Sequence, residues 1–101
     1  MKLYGSSLSP YHERCIITLD IKGALDKVET PEIEGGAKSP EHFAANPTGR
    51  IPYLVLDNGN SIIESQIIAE YLDAALDGTP TIPADAEGAA HAKMIARIVD
   101  I

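Results

Sequence analysis

Apolar and polar positions come in short bursts at the start of the chain and then settle into helical periods. Lys2-Leu3-Tyr4-Gly5 predicts a short strand, and the small polar residues from Gly5 to Ser9 predict the loop that follows. Pro10 suits the first turn of a helix, where its missing amide hydrogen is no loss. Ser9 is then the natural N-cap. The helix is predicted to run to about Lys22, with Gly23 at the C′ position. Tyr11, Cys15 and Leu19 predict its buried stripe, widened by Ile17 and Ile21.

Residues 25–33 read as a second strand, broken by Gly35-Gly36. Ser39-Pro40-Glu41 opens a short helical turn through Ala45, and Asn46-Pro47-Thr48-Gly49 reads as a loop. Two apolar runs, Pro52 to Leu56 and Ser61 to Ile63, flank Asp57-Asn58-Gly59-Asn60. Asn-Gly in that setting is a strong hairpin signal, because both residues tolerate positive φ. Ile67, Ile68, Tyr71, Leu72, Ala75 and Leu76 keep helical spacing, and Gly78 is predicted to close that helix. Thr79 to Pro83 reads as a linker. Residues 86–101 start another helix with Ala90, Met94, Ile98 and Ile101 on one side. No stop signal follows, so the expectation is the opening part of a longer protein.

The first strand–helix–strand unit implies parallel pairing with a right-handed crossover. The hairpin adds antiparallel pairing. The predicted class is α/β, with a mixed four-stranded sheet and helices on both faces. The predicted organisation is one domain over residues 1–78, a linker over 79–85 and a new helix over 86–101.

Composition narrows the function. A chain of 101 residues can build one core and not two. Fifteen acidic against eight basic residues give a net charge of −7, which disfavours nucleic acid and anionic membranes as partners. A small anion held by a few local donors remains compatible with that charge. The single Cys15 allows no internal disulfide and no zinc ligand set; on its helical stripe it reads as a buried structural thiol. His12, His42 and His91 are scattered without metal-ligand spacing and read as surface or helix-face residues. No apolar run reaches the ~18 residues that span a bilayer, and no h-region follows Lys2. The default expectation is a cytoplasmic protein.

Four segments together resemble the thioredoxin-like N-terminal domain of the cytosolic glutathione S-transferases. They are Ser6-Ser7-Leu8-Ser9-Pro10 with Arg14, Lys38-Ser39-Pro40-Glu41-His42, Asn46 through Pro52, and Glu64-Ser65. The resemblance covers residues 1 to about 78, and the serine-type classes (phi, theta, zeta) are most similar. It implies a β-α-β, α, β-β, α order, followed by the first helix of an all-helical domain. It also implies glutathione as co-substrate, a small electrophile as second substrate, and a homodimer.

Residue by residue, the resemblance puts Ser9 at the glutathione thiol. Five residues on, Arg14 completes the phi-like pattern. Ser7 lies on the same loop and is the rival, and Ser9 also suffices as a simple N-cap. A hydroxyl has one donor and two acceptor sites, so capping and thiol contact are compatible. Ile51, before a cis Pro52, would pair through its backbone with the cysteinyl part of glutathione; a trans proline opening an edge strand is the other reading. Ser65, assisted by Glu64, would hold the γ-glutamyl end at a helix N-terminus. Ser61-Ile62-Ile63-Glu64 also fits a capping box. Lys38, assisted by Arg50, would meet the glycine carboxylate. Ala37 departs from the phi pattern, which has His there. Ser9-Pro10-Tyr11-His12 resembles a glutaredoxin motif without its cysteines, so dithiol exchange is disfavoured. The alternatives are a non-catalytic interaction module of the same fold and another glutathione-dependent reaction, such as isomerisation, dehalogenation or ether cleavage.

Overall fold

The computed structural model describes residues 1–101. Strands β1 (Lys2–Tyr4), β2 (Tyr53–Val55) and β3 (Ser61–Ile63) form one antiparallel sheet in that order. The register places Leu54 opposite both Leu3 and Ile62. Helices α1 (Pro10–Lys22), α2 (Pro40–Ala45), α3 (Ser65–Ala75) and α4 (Ala86–Val99) complete the chain. The core gathers Leu3, Cys15, Leu19, Ala24, Val28, Leu54, Ile68 and Leu72 between the sheet and the α1–α3 pair.

Local chemistry sets the boundaries of α1. Ser9 Oγ accepts the His12 amide at 3.3 Å, and Pro10 occupies the first turn. Gly23 lies at φ 70°, and the amides of Gly23 and Ala24 return to the carbonyls of Asp20 and Leu19. The Asn-Gly turn is present, with Gly59 at φ 89° and the Leu56 amide bonded to the Asn60 carbonyl at 2.8 Å. Gly78 serves a purpose other than ending α3, which stops at Ala75. At φ 133° it passes so close to α1 that a Cβ would collide with the Lys22 carbonyl oxygen.

α1 and α3 lie side by side and run in the same direction. Arg14 meets Ser65 and Lys22 meets Asp73, both pairs separated by 51 residues. The Lys22 ammonium is buried 3.2 Å from Asp73 Oδ1, which also accepts the Thr81 amide and hydroxyl at 2.7 and 2.8 Å. This cluster ties the linker to both helices.

Three expectations are corrected. Residues 25–33 do not form a strand. Leu25–Lys27 turn as a 3₁₀ helix, and only Glu29 pairs with β1, its amide bonded to the Met1 carbonyl and its carbonyl to the Leu3 amide. The next donor of that parallel ladder would be residue 31, which is Pro31 and has no N–H. The sheet is therefore three-stranded and antiparallel, with one parallel bridge. The buried face of α1 is also shifted: His12, Cys15, Thr18, Leu19 and Lys22 face inward, whereas Tyr11, Ile17 and Ile21 are at least half exposed. Finally, α4 turns small residues inward. Gly88, Ala89, Ala92 and Ala96 are half-buried, while Met94, Ile95, Ile98 and Ile101 point outward.

His12 is buried rather than on the surface. Its ring packs against Gly5, and its Nδ1 has no hydrogen-bond partner. Burial lowers its pKa below the ordinary 6.5, with the nearby Glu13 charge acting weakly in the other direction. The folded state thus holds this ring neutral, while the unfolded chain takes up the proton first as pH falls. This contribution to stability is present above pH 6.5 and is lost as pH drops from there towards the folded pKa. Urea titrations across that window should show the loss in the wild-type chain and a flatter profile in His12→Leu. An equal slope in both would show that His12 is not its source.

Candidate functional site

α1 and α3 open onto the same cleft, and the loop between α2 and β2 forms its opposite wall. A cavity of about 190 Å³ is lined by Tyr11, Asn46, Arg50, Ile51, Pro52, Glu64, Ser65 and Asp100. A shallower one of about 480 Å³ adjoins it, lined by Ser9, Tyr11, Ala37, Lys38, His42, Gly49, Arg50 and Ile51. Shared walls at Tyr11, Arg50 and Ile51 join them into one groove. All seven residues singled out in the sequence line it: Ser9 and Lys38 at one end, Glu64 and Ser65 at the other, and Arg50, Ile51 and Pro52 between. Ser7 is exposed and lines neither cavity.

The Ser9 hydroxyl accepts one hydrogen bond as a cap, so its own hydrogen remains available on the groove side. The Ile51–Pro52 peptide is cis. Neither the Ile51 amide nor its carbonyl makes a hydrogen bond within the chain. The residue before it is held firmly. Arg50 carbonyl oxygen accepts Asn46 Nδ2 at 2.8 Å and lies 3.0 Å from His42 Nε2.

At the far end, α3 begins at Ser65, not at Ser61, so the capping box does not form. Glu64 precedes it at φ 71°, a left-handed conformation that a non-glycine residue adopts at a cost of about 1–3 kcal/mol. No side chain caps the first turn of α3, and its leading amides have no hydrogen-bond partner within the chain. The buried Ser65 hydroxyl accepts a bond from Arg14 Nη1 at 3.0 Å. The same guanidinium grips Asp100 at the end of α4 with two bonds of 2.9 and 2.7 Å, and stacks 5.7 Å from the Tyr11 ring centre. The hydrogen bond from Arg14 holds the Asp100 carboxyl below the usual carboxylate range. Cys15 is fully buried behind this end, and burial pushes its thiol up to about 12, so it is inert as a nucleophile at neutral pH.

Sequence reading missed two features. Asp100 joins the site from 35 residues beyond Ser65, a long-range contact that no local pattern announces. His42 is 1% exposed, sandwiched between the Tyr53 and Phe43 rings and bonded at both nitrogens. The pairing of donor and acceptor across α2, rather than its apolar spacing, explains that burial.

A cleft bounded by two helix N-termini and a cis-proline loop defines a thioredoxin-like site. The sequence pattern described as "Glutathione S-transferase, N-terminal domain" matches residues 3–80, and the chain belongs to that family. Glutathione S-transferase 2 of Saccharomyces cerevisiae is 42% identical over 85 residues, covering 81% of this chain and 36% of that protein. The crystal structure of Gtt2 from Saccharomyces cerevisiae superposes with a TM-score of 0.84 at 36% identity, covering 96% of this chain and 48% of that one. A glutathione transferase family member from Pseudomonas fluorescens, solved with bound glutathione, gives a TM-score of 0.83 at 31% identity over 98% of this chain and 49% of that one. The chain thus spans less than half the length of these relatives.

Arg14 is the one side chain that joins α1, α3 and α4. Removing it as Arg14→Met should loosen α4 selectively, because the ion pair with Asp100 is lost. Amide exchange should quicken along α4 and stay unchanged in β1–β3. Equal acceleration throughout would show that Arg14 supports the whole fold instead.

Proposed function

We propose that this chain is the glutathione-binding part of a glutathione transferase, which ionises the glutathione thiol and directs it at a small electrophile. One observation carries this reading: a single groove joins a hydroxyl at a helix tip, an unpaired backbone step at Ile51 and a free helix N-terminus at Ser65. A γ-glutamyl tripeptide has matching groups in that order. The glutathione-bound relative from Pseudomonas fluorescens supports the choice of ligand.

In this reading the γ-glutamyl carboxylate sits at the start of α3. It accepts bonds from the leading amides and from the Ser65 hydroxyl, whose hydrogen is free because its oxygen already accepts from Arg14. Glu64 and Asp100 supply carboxylates at the same end for the α-ammonium group. The cysteinyl residue adds to Ile51 as a strand would. Lys38 and Arg50 face the glycine carboxylate.

The sulfur then lies towards Ser9. A thiol with a pKa of ~8.5 is only a few per cent ionised at pH 7. Lowering it by about two units takes roughly 2.7 kcal/mol of preference for the thiolate. The Ser9 hydroxyl hydrogen and the positive end of α1 are the donors in place for that task. The thiol proton passes to solvent, and the thiolate forms a carbon–sulfur bond to the electrophile. The displaced electron pair leaves with the departing group whose bond to that carbon breaks or, in addition to an activated double bond, the π bond breaks and its pair takes up a proton from solvent. α4 opens the second, all-helical domain that contributes the electrophile's pocket, with residues 79–85 as the linker. The working protein is a cytoplasmic homodimer.

Gly is a good N-cap and replaces Ser at that position for only a few tenths of a kcal/mol. In the protein complete with its second domain, Ser9→Gly should therefore leave the melting temperature nearly unchanged while kcat falls about 10- to 100-fold. The pH–rate profile should move towards the free thiol. If Ser7→Ala reproduces that loss and Ser9→Gly does not, the thiol contact belongs to Ser7. Glu64→Gln should instead weaken glutathione binding about tenfold by calorimetry. Unchanged affinity would remove Glu64 from the site.

A further inference from the structure

His42 lines the groove but has no glutathione group assigned to it in the reading above, yet it connects two residues that have one. Its Nδ1 is 2.8 Å from the Lys38 amide, which can only donate. Nδ1 is therefore the bare nitrogen, and Nε2 carries the hydrogen that goes to the Arg50 carbonyl at 3.0 Å. One neutral ring in one tautomer thus spans from the loop before α2 to the loop after it. The Ser39 cap of α2, which accepts the His42 amide at 3.2 Å, and the Tyr53 ring, 5.1 Å away, fix the imidazole in place.

The two loops do not depend on it equally. The Arg50 carbonyl has a second holder in Asn46. The Lys38 amide has none, and its residue sits at φ 62°, in the left-handed region that non-glycine residues avoid. A strained residue keeps its conformation only where its surroundings over-determine it. Two bonds restrain it here: that of its own amide to His42, and that of the Ser39 amide to the Gly36 carbonyl at 3.2 Å, which closes the turn containing Lys38.

We propose that His42 is a positioning residue for the glycine end of the ligand: by fixing the backbones of Lys38 and Arg50, it presents their two cationic side chains together on one wall of the groove. This rests on the glutathione reading above. It also accounts for a buried histidine inside a helix of only six residues, where an apolar residue would pack as well.

The test compares glutathione with γ-glutamylcysteine, which lacks the glycine, by calorimetry on the full chain. The wild type should prefer glutathione. His42→Phe keeps the ring stacking and removes both hydrogen bonds. It should weaken glutathione about tenfold and leave γ-glutamylcysteine within about twofold, so the preference collapses. Adding His42→Phe to Lys38→Ala should cost less than it does alone. Equal losses for both ligands, or no loss for either, overturn the proposal. Should His42→Phe fail to fold, imidazole nitrogen shifts of the wild type decide: a bare Nδ1 and protonated Nε2 are expected, and the opposite tautomer overturns it. A wild type that binds neither ligand while showing the expected tautomer would refute the glutathione reading instead.

Discussion

The parallel packing of α1 on α3 is the constraint on which the rest depends. β1 and β3 flank β2 and both run against it, so they point the same way. Each leads into a helix, by a loop after β1 and within one residue after β3. Both helices must therefore begin at the same edge of the sheet. Cys15, Leu19, Ile68 and Leu72 seal the apolar seam between them, and Arg14–Ser65 and Lys22–Asp73 mark its two ends. Two positive helix poles then converge on one cleft. An antiparallel pair would have set a carbonyl end beside an amide end, and the field at the cleft would largely cancel.

That convergence reconciles an acidic chain with the anionic ligand proposed for it. The net charge is −7, but the groove wall carries Lys38 and Arg50, with Arg14 behind Ser65 and two sets of helix amides. Short-range donors dominate at contact distance, whereas the surplus carboxylates are dispersed over the exterior and screened within roughly 10 Å. The third wall is positioned from the side by α2. Its His42 and Asn46 both grip the Arg50 carbonyl, which sets where Ile51 leaves its own backbone groups exposed.

Elements governed by local chemistry were legible in the sequence. Ser9-Pro10 and Gly23 bound α1, Ser39-Pro40 starts α2, and Asn58-Gly59 turns the hairpin, because caps and turns are decided within a few residues. The groove lining was legible for the same reason: each segment that resembled the family sits at an element boundary. What failed depended on partners distant in sequence. The strand expected over 25–33 shrinks to one bridge because Pro31 faces a ladder position. The inward face of α1 takes His12 and Lys22 instead of Ile17 and Ile21, since Asp73 and the Thr79 carbonyl pair with the Lys22 ammonium. α4 turns its small residues inward and leaves its bulky side outward, with a cavity of about 250 Å³ between it and the α1–α3 pair, lined by Thr18, Ala69, Ala92 and Ala96 among others. Periodicity marks an amphipathic face; it does not say which neighbour that face meets.

The triple grip of Arg14 has a thermodynamic corollary. One guanidinium bonds both the hydroxyl at the start of α3 and the carboxylate at the end of α4. Anything that occupies the Ser65 end of the groove competes or cooperates with Asp100 for that cation. Reciprocity then requires that whatever free energy the occupant adds to or takes from the anchorage of α4, that anchorage returns to the occupant's affinity. Filling the cleft and fastening the last helix are a linked pair of equilibria, joined through a single planar ion.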